Sequence, residues 1–406
     1  MPHPAPHPAD TSIPWSGRLV LALPPALCLI ALLIKLGATA LVLAGPGWLH
    51  AHSTRPAPAD TPGPPPAAAA PAVAPIWQRL PEAAPSPSGA PASPALVALG
   101  ERLFHDSRLS RDGTVACASC HDLARHAGAD GRPTARGIGG RIGPRNTPTV
   151  WNAAFQTRLF WDGRADSLEA QAAGPLFNPA EMGMPSAAAL EQRLARDATY
   201  EADFAQAFGG PGITLARTTQ AIAAFERTLI TRDSPYDRFL AGDRHALSPQ
   251  QLAGMERFQA LGCINCHAGP NFSSAGILSP GGAWRAFPAH ALAGAQHLTQ
   301  DPGLAPPGSR PGVWRVPSLR NVALTGPYFH NGSVRTLDEA VRIMASAQLG
   351  LEQAQAPGPA RRVLWSPEQQ TLTSLPPRTF SRQDVADIVA FLHALSSERL
   401  ARARQP

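Results

Sequence analysis

Cysteine is scarce in this sequence, and the chain cannot rest on a disulfide framework. It has 406 residues and only 5 cysteines, too few for a fold held by disulfide bonds. There is no run of lysine or arginine, and the formal net charge is only +6, which argues against nucleic acid as a partner. No segment alternates apolar and polar residues over any length, so a strand-rich fold is excluded. The 45 prolines and 35 glycines instead indicate loops and linkers.

The N-terminal part contains a long apolar stretch. Residues 1–18 form a polar segment, and residues 19–46 are apolar with Lys35 as their only charge. One interpretation is a signal peptide cleaved after the small residues Ala38-Thr39-Ala40. The other is an uncleaved membrane anchor, because the stretch exceeds the apolar core of an ordinary signal peptide. Both interpretations place the rest of the chain outside the cytoplasm.

A linker rich in proline and alanine is predicted over residues 47–93. Such a composition cannot bury enough apolar surface to fold, and its prolines keep it extended. The string IWQRL at residues 76–80 is an apolar island within it, which we expect to pack on another part of the protein. After the linker, the chain is predicted to form two mostly helical domains, 94–244 and 245–400.

Two helices are predicted directly before two similar cysteine motifs. Leu96, Leu99 and Leu103 have helical spacing, and a loop then leads to CASCH at 117–121. Further on, Ser248 is predicted as an N-cap, with Pro249 at the first helical position and Gln251 completing a capping box. That helix is expected to end at Gly262, and CINCH follows at 263–267. Helical patterns also cover residues 186–197, 214–231 and 381–398.

The repeated Cys-x-x-Cys-His motif is open to three chemistries. A four-cysteine zinc site usually places its pairs about 15–20 residues apart, whereas 263 − 117 = 146 residues separate these two. Dithiol exchange favours a strand-helix-strand unit, and none is visible. Covalent haem attachment uses two cysteines one helical turn apart, followed by a histidine as axial ligand. Two occurrences, each after an amphipathic helix, therefore favour two covalently bound haems c.

The sequence resembles the bacterial di-haem cytochrome c peroxidases, a superfamily that also includes the enzyme that matures the tryptophylquinone of methylamine dehydrogenase. The resemblance covers residues 94–400 and rests on strings such as LGERLFHDSRLS, NTPTVWNAAF, LFWDGRADSLEAQAAGP, NPAEMG and RVPSLRNVALTGPYFHNGSVRTLDEAVRIM. It implies a periplasmic enzyme, soluble or tethered to the inner membrane, that reduces hydrogen peroxide to water. The implied electron donor is a small cytochrome c or cupredoxin. A homodimer is also compatible, because the family commonly dimerises.

The resemblance assigns residues to each haem. It makes Cys117 and Cys120 the attachment points of a peroxidatic haem with His121 as its axial ligand. It makes Cys263, Cys266 and His267 the corresponding residues of an electron-entry haem. Met344 matches the sixth ligand of the second haem, and a thioether there raises the reduction potential. Taken alone, Met344 would be interpreted as an ordinary apolar residue of a helix. The tryptophylquinone-forming relative has a tyrosine at this position, so methionine favours the peroxidase.

Further roles follow from the same resemblance. Glu181 matches the catalytic carboxylate, which would move a proton between the two peroxide oxygens, and Gln171 and Pro175 match its distal-pocket neighbours. Trp161 matches a tryptophan between the haems, where it would relay electrons or serve as a core aromatic. Asn146, Thr325 and Pro327 match a calcium site between the domains, since oxygen ligands suit a hard cation.

Other side chains near these motifs lead to weaker expectations. Arg315 and Arg320 would pair with haem propionates or remain solvated. His330 is expected to have a structural role or one near the propionates.

One departure from the family pattern predicts the resting state. Many members carry a histidine, in the loop before the N-x-P-T string, that blocks the peroxidatic iron until the other haem is reduced. The corresponding loop here, residues 135–146, contains no histidine, and His126 lies too close to the haem motif to match. Met182 and Met184 flank the catalytic position but would crowd Glu181. The first haem is therefore expected to keep an open or water-occupied sixth position.

Two other functions stay open at this stage. A tryptophylquinone-type enzyme would oxidise a partner protein. A non-enzymatic electron carrier would have two six-coordinate haems and no need for a carboxylate in a distal pocket.

Overall fold

The computed structural model describes residues 76–279, 282–308, 312–354, 365–366, 371–372 and 379–404. The predicted segments 1–18 and 19–46, and the part of the predicted linker before residue 76, lie outside this range. Within the described residues, no helix is both long enough and apolar enough to cross a membrane.

Helices dominate the first half of the described chain. Its α-helices are α1 Pro94–Phe104, α2 Cys117–Cys120, α3 Leu168–Phe177, α4 Ala187–Ala195, α5 Ala198–Phe208, α6 Leu215–Glu226 and α7 Pro235–Leu240. Single 3₁₀ turns lie at Ser107–Leu109, Ile138–Gly140 and Ala153–Phe155. Helices α5 and α7 do not appear among the sequence predictions, although Asp197 and Ser234 cap them in the usual way.

The second half is helical with short strands. Its α-helices are α8 Pro249–Ala260, α9 Ala291–Ala295, α10 Leu337–Ile343, α11 Arg382–Ala394 and α12 Glu398–Ala403. The 3₁₀ turns Cys263–Asn265 and Val322–Leu324 and the π turn Met344–Gln348 lie between them. The strands are β1 Trp284–Phe287, β2 Gly312–Arg315, β3 Glu352–Ala354, β4 Trp365–Ser366, β5 Thr371–Leu372 and β6 Thr379–Ser381.

The strands form three pairs, none longer than four residues. β1 and β2 are antiparallel with Trp284 opposite Arg315, β3 and β6 are parallel, and β4 and β5 are antiparallel. Pairs this short leave no alternation that a sequence pattern can show, which is why none was predicted. The fold is mostly α, as expected.

Local capping sets where the predicted helices begin. The Ser248 side chain accepts a hydrogen bond from the Gln251 backbone N–H, and the Gln251 side-chain oxygen accepts one from the Ser248 backbone N–H. Ser381 and Asp384 form the same reciprocal pair at the start of α11. These capping boxes satisfy backbone N–H groups that have no partner inside the helix. The predicted starts of both helices are confirmed.

Glycines let two pairs of helices cross at backbone contact. A Cβ added at Gly100 in α1 would lie 1.9 Å from the carbonyl oxygen of Ala221 in α6. In the second half, a Cβ at Gly254 in α8 would lie 1.9 Å from the carbonyl oxygen of Asp387 in α11. The same crossing therefore occurs twice, and in each half the first helix of the pair precedes a Cys-x-x-Cys-His motif.

Each crossing lies in its own apolar core. The first core contains Leu103 and Phe104 with Tyr200, and the second contains Phe258 and Phe391, all almost fully buried. Both cores lie within one compact unit. The division of the body near residue 244 stays a prediction.

The apolar island of the predicted linker packs on the second core. The Trp77 ring lies 5.8 Å from that of Phe391 and 6.2 Å from that of Phe272, measured between centroids. Leu80 is almost fully buried. Chain from residue 76 onward therefore already contributes to the core.

Candidate functional site: two cavities with a repeated Cys-x-x-Cys-His motif

The first motif lies on the wall of a large cavity. Cys117–Cys120 form the single helical turn α2, and His121 follows directly. Cys117, Cys120 and His121 all line the cavity, whose space not filled by protein atoms is about 1790 Å³, including part of its open mouth. The turn brings both thiols and the imidazole to one space.

A backbone hydrogen bond fixes the orientation of His121. Its Nδ1 atom lies 3.0 Å from the carbonyl oxygen of Gly128. Because a carbonyl oxygen only accepts, Nδ1 carries the proton and Nε2 keeps its lone pair. Burial lowers the pKa of His121, so the ring is neutral at pH 7. A neutral ring whose second nitrogen donates to a carbonyl is the usual form of a metal-ligating histidine.

The second motif repeats this arrangement at a second cavity. Cys263, Cys266 and His267 line a space of about 1760 Å³ by the same measure. Nδ1 of His267 lies 3.0 Å from the carbonyl oxygen of Phe272, and burial lowers the pKa of His267 to about 4. Each half of the chain therefore presents two thiols and a neutral imidazole that is protonated at Nδ1.

Met344 lines the second cavity together with His267. Helix α10 ends at Ile343, and the π turn Met344–Gln348 continues from it. Such π turns often occur at functional sites. The structure thus brings the two residues expected to ligate the second iron to one cavity.

The geometry separates the three chemistries considered for the cysteines. The two pairs line different cavities, so they do not form one four-cysteine zinc site. Among the described residues, no group of three or more His, Cys, Asp or Glu is arranged to hold a metal ion. Burial raises the pKa of Cys117 and of Cys263 to about 12, whereas exchange-active dithiols have a lowered thiol pKa. Two large cavities, each with a thiol pair and an axial imidazole, fit covalently bound haem.

Trp161 lies between the cavities and lines both. Its indole Nε1–H donates to the backbone carbonyl of Asn146 over 2.8 Å, which fixes the ring. Gln156 and Arg315 line both cavities as well. The wall shared by the two spaces therefore contains one aromatic ring, together with Gln156, Arg315 and residues 146–149.

Glu181 lines the first cavity, and a neighbouring amide orients its carboxylate. Asn178 Nδ2–H donates to Glu181 Oε1 over 2.6 Å. Burial raises the pKa of Glu181, and the Arg164 charge and the Asn178 hydrogen bond oppose that rise. The carboxyl is therefore easier to protonate than an exposed glutamate, which suits a group that takes up and returns a proton.

Helix α3 contributes the other expected residues of this pocket. Gln171 and Pro175 lie one helical turn apart, so they share a face, and both line the first cavity. Met182 also lines it, whereas Met184 lies in the apolar core. Glu181, Gln171 and Pro175 therefore line one cavity, and their roles in it stay predictions.

The loop that lacks the family's histidine rests on the backbone of Glu181. The Ile138 backbone N–H donates to the Glu181 carbonyl over 2.8 Å. A Cβ at Gly137 would lie 2.1 Å from the Ala180 carbonyl oxygen and 2.6 Å from Glu181 Cα, so only glycine fits there. Of the described residues that line this cavity, His121 is the only histidine.

The residues expected to bind calcium line the second cavity. Asn146 donates its side-chain N–H to the Arg132 carbonyl over 2.8 Å, and its backbone N–H to the His330 carbonyl over 2.7 Å. Asn146 is far in sequence from Thr325 and Pro327, and the fold brings all three to one cavity. The amide oxygen of Asn146 and the two backbone carbonyls are the atoms a hard cation would use.

The expectation for Arg320 is wrong. Its guanidinium forms a buried two-pronged ion pair with Asp237, at 2.9 and 3.0 Å, so it is already neutralised within the protein. Arg315 is different, because it is buried on the wall of both cavities. Among the described residues, its guanidinium donates to the Gln156 side chain and to the Phe160 and Val316 carbonyls. Burial lowers its pKa to about 10.

His330 has a buried position that supports a structural role. Its ring stacks on Trp314 with centroids 4.0 Å apart and an interplanar angle of 15°. Burial lowers its pKa to about 4, so the ring is neutral. Both residues line the second cavity.

Sequence reasoning missed Glu226, a buried carboxyl on the first cavity. It is the last residue of α6. It follows Ile222 by four residues and therefore lies on the apolar side of an amphipathic helix. A charged residue at an apolar position of the helical pattern was the available signal.

Comparison with known proteins agrees with this geometry. The family model for di-haem cytochrome c peroxidase matches residues 94–245. The cytochrome c551 peroxidase of Pseudomonas aeruginosa is 39% identical over 306 residues, covering 74% of this chain and 78% of that protein. The cytochrome c peroxidase Ccp of Escherichia coli is 39% identical over 329 residues, which is 80% of this chain but only 61% of that protein.

A solved structure is also similar. The crystal structure of a MauG-like protein associated with microbial copper homeostasis superposes with a TM-score of 0.65 at 31% identity, covering 80% of this chain and 97% of that one. A mostly helical fold with two cavities, each lined by a Cys-x-x-Cys-His motif, is typical of a c-type cytochrome architecture. The chain belongs to the di-haem cytochrome c peroxidase family and is a peroxidase-type oxidoreductase. Membership implies haem c as the cofactor.

Proposed function

We propose that this protein reduces hydrogen peroxide to water with electrons from a small cytochrome c or cupredoxin in the periplasm. The observation that carries the proposal is the first cavity, which is lined by Glu181 and by the neutral imidazole of His121. The peroxidases similar to this chain support the same reaction. When bound, the two haems would supply electron uptake at the second cavity and cleavage of the O–O bond at the first.

The chain's own residues would hold these groups. Cys117 and Cys120 would attach one haem and Cys263 and Cys266 the other, with His121 and His267 as axial ligands. Met344 would complete the second site. Arg315, a buried cation on both walls without a carboxylate partner among the described contacts, would neutralise a propionate.

Glu181 would move a proton within the substrate. Peroxide must lose a proton from one oxygen and gain it on the other before the O–O bond can break, and a carboxylate in reach of both oxygens does this. The Asn178 hydrogen bond holds the carboxylate in place. Gln171 would hold the substrate with its amide, and Pro175 would shape the pocket wall. Trp161, on both cavity walls, would lie on the path of the electrons.

Several further features belong to the same proposal. The first iron would keep an open or water-occupied sixth position at rest, because His121 is the only histidine among the described residues of that cavity. Asn146, Thr325 and Pro327 would bind calcium. The protein would act as a monomer or homodimer, soluble or tethered through residues 19–46.

Steady-state turnover tests the proposal. Purified protein with two haems should oxidise a reduced small cytochrome c only when peroxide is present, consuming two donors per peroxide. Glu181→Gln keeps size and polarity but cannot carry a proton, so its rate should fall about 100- to 10,000-fold. A Glu181→Gln rate within a few-fold of the parent rate would rule out this role for the carboxylate.

Oxidation of a partner protein is the second candidate function, favoured by the similarity to the MauG-like structure. Peroxide would then drive oxidation of a tryptophan side chain on a partner protein, and reduced small cytochrome c would be a poor electron donor. The same turnover assay distinguishes the two functions.

A further inference from the structure

Glu226 is a buried acid that the proposed reaction has not yet used. Its side chain lines the first cavity, and the residue is 4% exposed. Its Oε2 atom is buried and has no hydrogen-bond partner. It also lies at the C-terminal end of α6, where the helix dipole disfavours a negative charge. A buried carboxylate without a partner is costly, so this group is held in its neutral, proton-carrying form.

The neighbouring charges do not offset that cost. Arg227 pairs with Glu169 at 2.8 Å, and both side chains are partly exposed. On α1, which packs against α6, Glu101 is exposed and Arg102 pairs with Asp203 and Asp197. The Cys117 sulfur, close enough to interact with Glu226, adds no charge: burial raises the pKa of its thiol to about 12, and a thioether to haem would be uncharged. Burial accordingly raises the pKa of Glu226 to about 8, with Arg227 opposing and Glu169 adding to the rise.

The reaction needs protons that Glu181 does not supply. Hydrogen peroxide, two electrons and two protons give two molecules of water as the O–O bond breaks. Glu181 only moves a proton that peroxide already carries from one oxygen to the other. The electrons come from the small electron-transfer donor, but the two additional protons must enter the cavity from solvent.

We propose that Glu226 is the second acid of the first cavity and delivers one of these protons through its unpaired oxygen. The inference rests on the proposed peroxide reduction. The carboxyl releases its proton toward the oxygen that leaves as water. Between turnovers it takes up a proton of the bulk solvent, relayed by water that enters through the cavity mouth.

Infrared spectroscopy of the intact two-haem protein tests the protonation directly. At pH 7 a carbonyl-stretch band of a neutral carboxylic acid should be present, should weaken as the pH rises through about 8, and should be absent in Glu226→Gln. A spectrum that is the same in the parent and in Glu226→Gln would overturn the proposal without reference to activity. If Glu226→Gln does not fold, absence of any neutral-acid band from the parent at pH 7 also overturns it.

Measurements of peroxide turnover provide a second test. Glu226→Gln should lower peroxide turnover about 100-fold, the lower end for a positioned acid, and change the solvent isotope effect, whereas Glu226→Asp should retain part of the rate. Glu101→Gln is the matched control, since it removes an exposed carboxylate of α1 that does not line the cavity, and should stay within a few-fold of the parent. A Glu226→Gln rate equal to that of an active parent contradicts the inference alone. An inactive parent contradicts the proposed function instead.

Discussion

At the scale of single residues, two imidazole rings hold the same pose in the two halves of the chain. His121 and His267 each donate from Nδ1 to a carbonyl at 3.0 Å. The ring is thereby held as the tautomer that ligates a metal through Nε2. The two cavities differ in what accompanies the histidine: the first has Glu181, and the second has Met344. Under the proposed function, this difference would place acid–base chemistry at the first cavity and electron uptake at the second.

The Met344 thioether is expected to set the potential of the second haem. A methionine ligand stabilises ferrous iron, so Met344→Ala should lower that potential and slow electron entry from the donor. Spectroelectrochemical titration measures the change, with Met255→Ala as a control, because Met255 lies in the same core and does not line the cavity. If the Met344→Ala titration matched the parent titration, another residue would be the ligand.

At the scale of elements, close helix crossings hold each haem motif in place. At Gly254 a Cβ would lie 1.9 Å from the backbone oxygen of Asp387, which cannot move like a flexible side chain. Gly254→Ala should therefore destabilise the protein by about 1–3 kcal/mol, the usual cost of overpacking. Thermal unfolding measures it. Gly294→Ala is the control, because its Cβ would meet nothing within 4 Å; equal melting temperatures for the two variants would contradict the crossing.

The histidine-free loop is expected to position the catalytic carboxylate. Gly137→Ala would force the loop away from the Glu181 backbone and disturb the Ile138 hydrogen bond. We expect turnover to fall at least several-fold and its pH profile to shift as the surroundings of Glu181 change, with little effect on the second haem. Gly143→Ala serves as the control, since its Cβ would have ordinary contacts at 3.6 Å or more. Identical pH profiles for the parent and Gly137→Ala would remove this role from the loop.

Local signals predicted the elements, and tertiary contacts did not follow from them. The starts of α8 and α11 were predictable because Ser248 and Ser381 form their capping boxes with residues three positions away. The pairing of Gly100 with α6, the Arg320–Asp237 ion pair and the burial of Glu226 depend on residues distant in sequence. The π turn at Met344 likewise has no local sequence signal. The residues that line the two cavities were predicted from the motifs that the sequence shares with the family, and not from local signals.

At the scale of the whole molecule, the two cavities meet at a shared wall. Trp161, Gln156 and Arg315 line both, and both lie within one compact unit. Under the proposed function, electron entry and peroxide chemistry would take place in adjacent spaces. The buried ion pair Arg320–Asp237 and the packing of Trp77 stabilise the second half beside that wall. Of the described residues lining the first cavity, none is a histidine other than His121. Peroxide should therefore reach that cavity without prior reduction of the protein.

Stopped-flow spectroscopy of the fully oxidised protein tests the central claim most directly. The protein is mixed first with one equivalent of hydrogen peroxide and then with a reduced small cytochrome c. The account predicts an immediate change in the spectrum of one haem, without prior reduction, followed by oxidation of two donor molecules per peroxide. No spectral change with peroxide, or donor oxidation that does not depend on it, would contradict peroxide reduction at the first cavity.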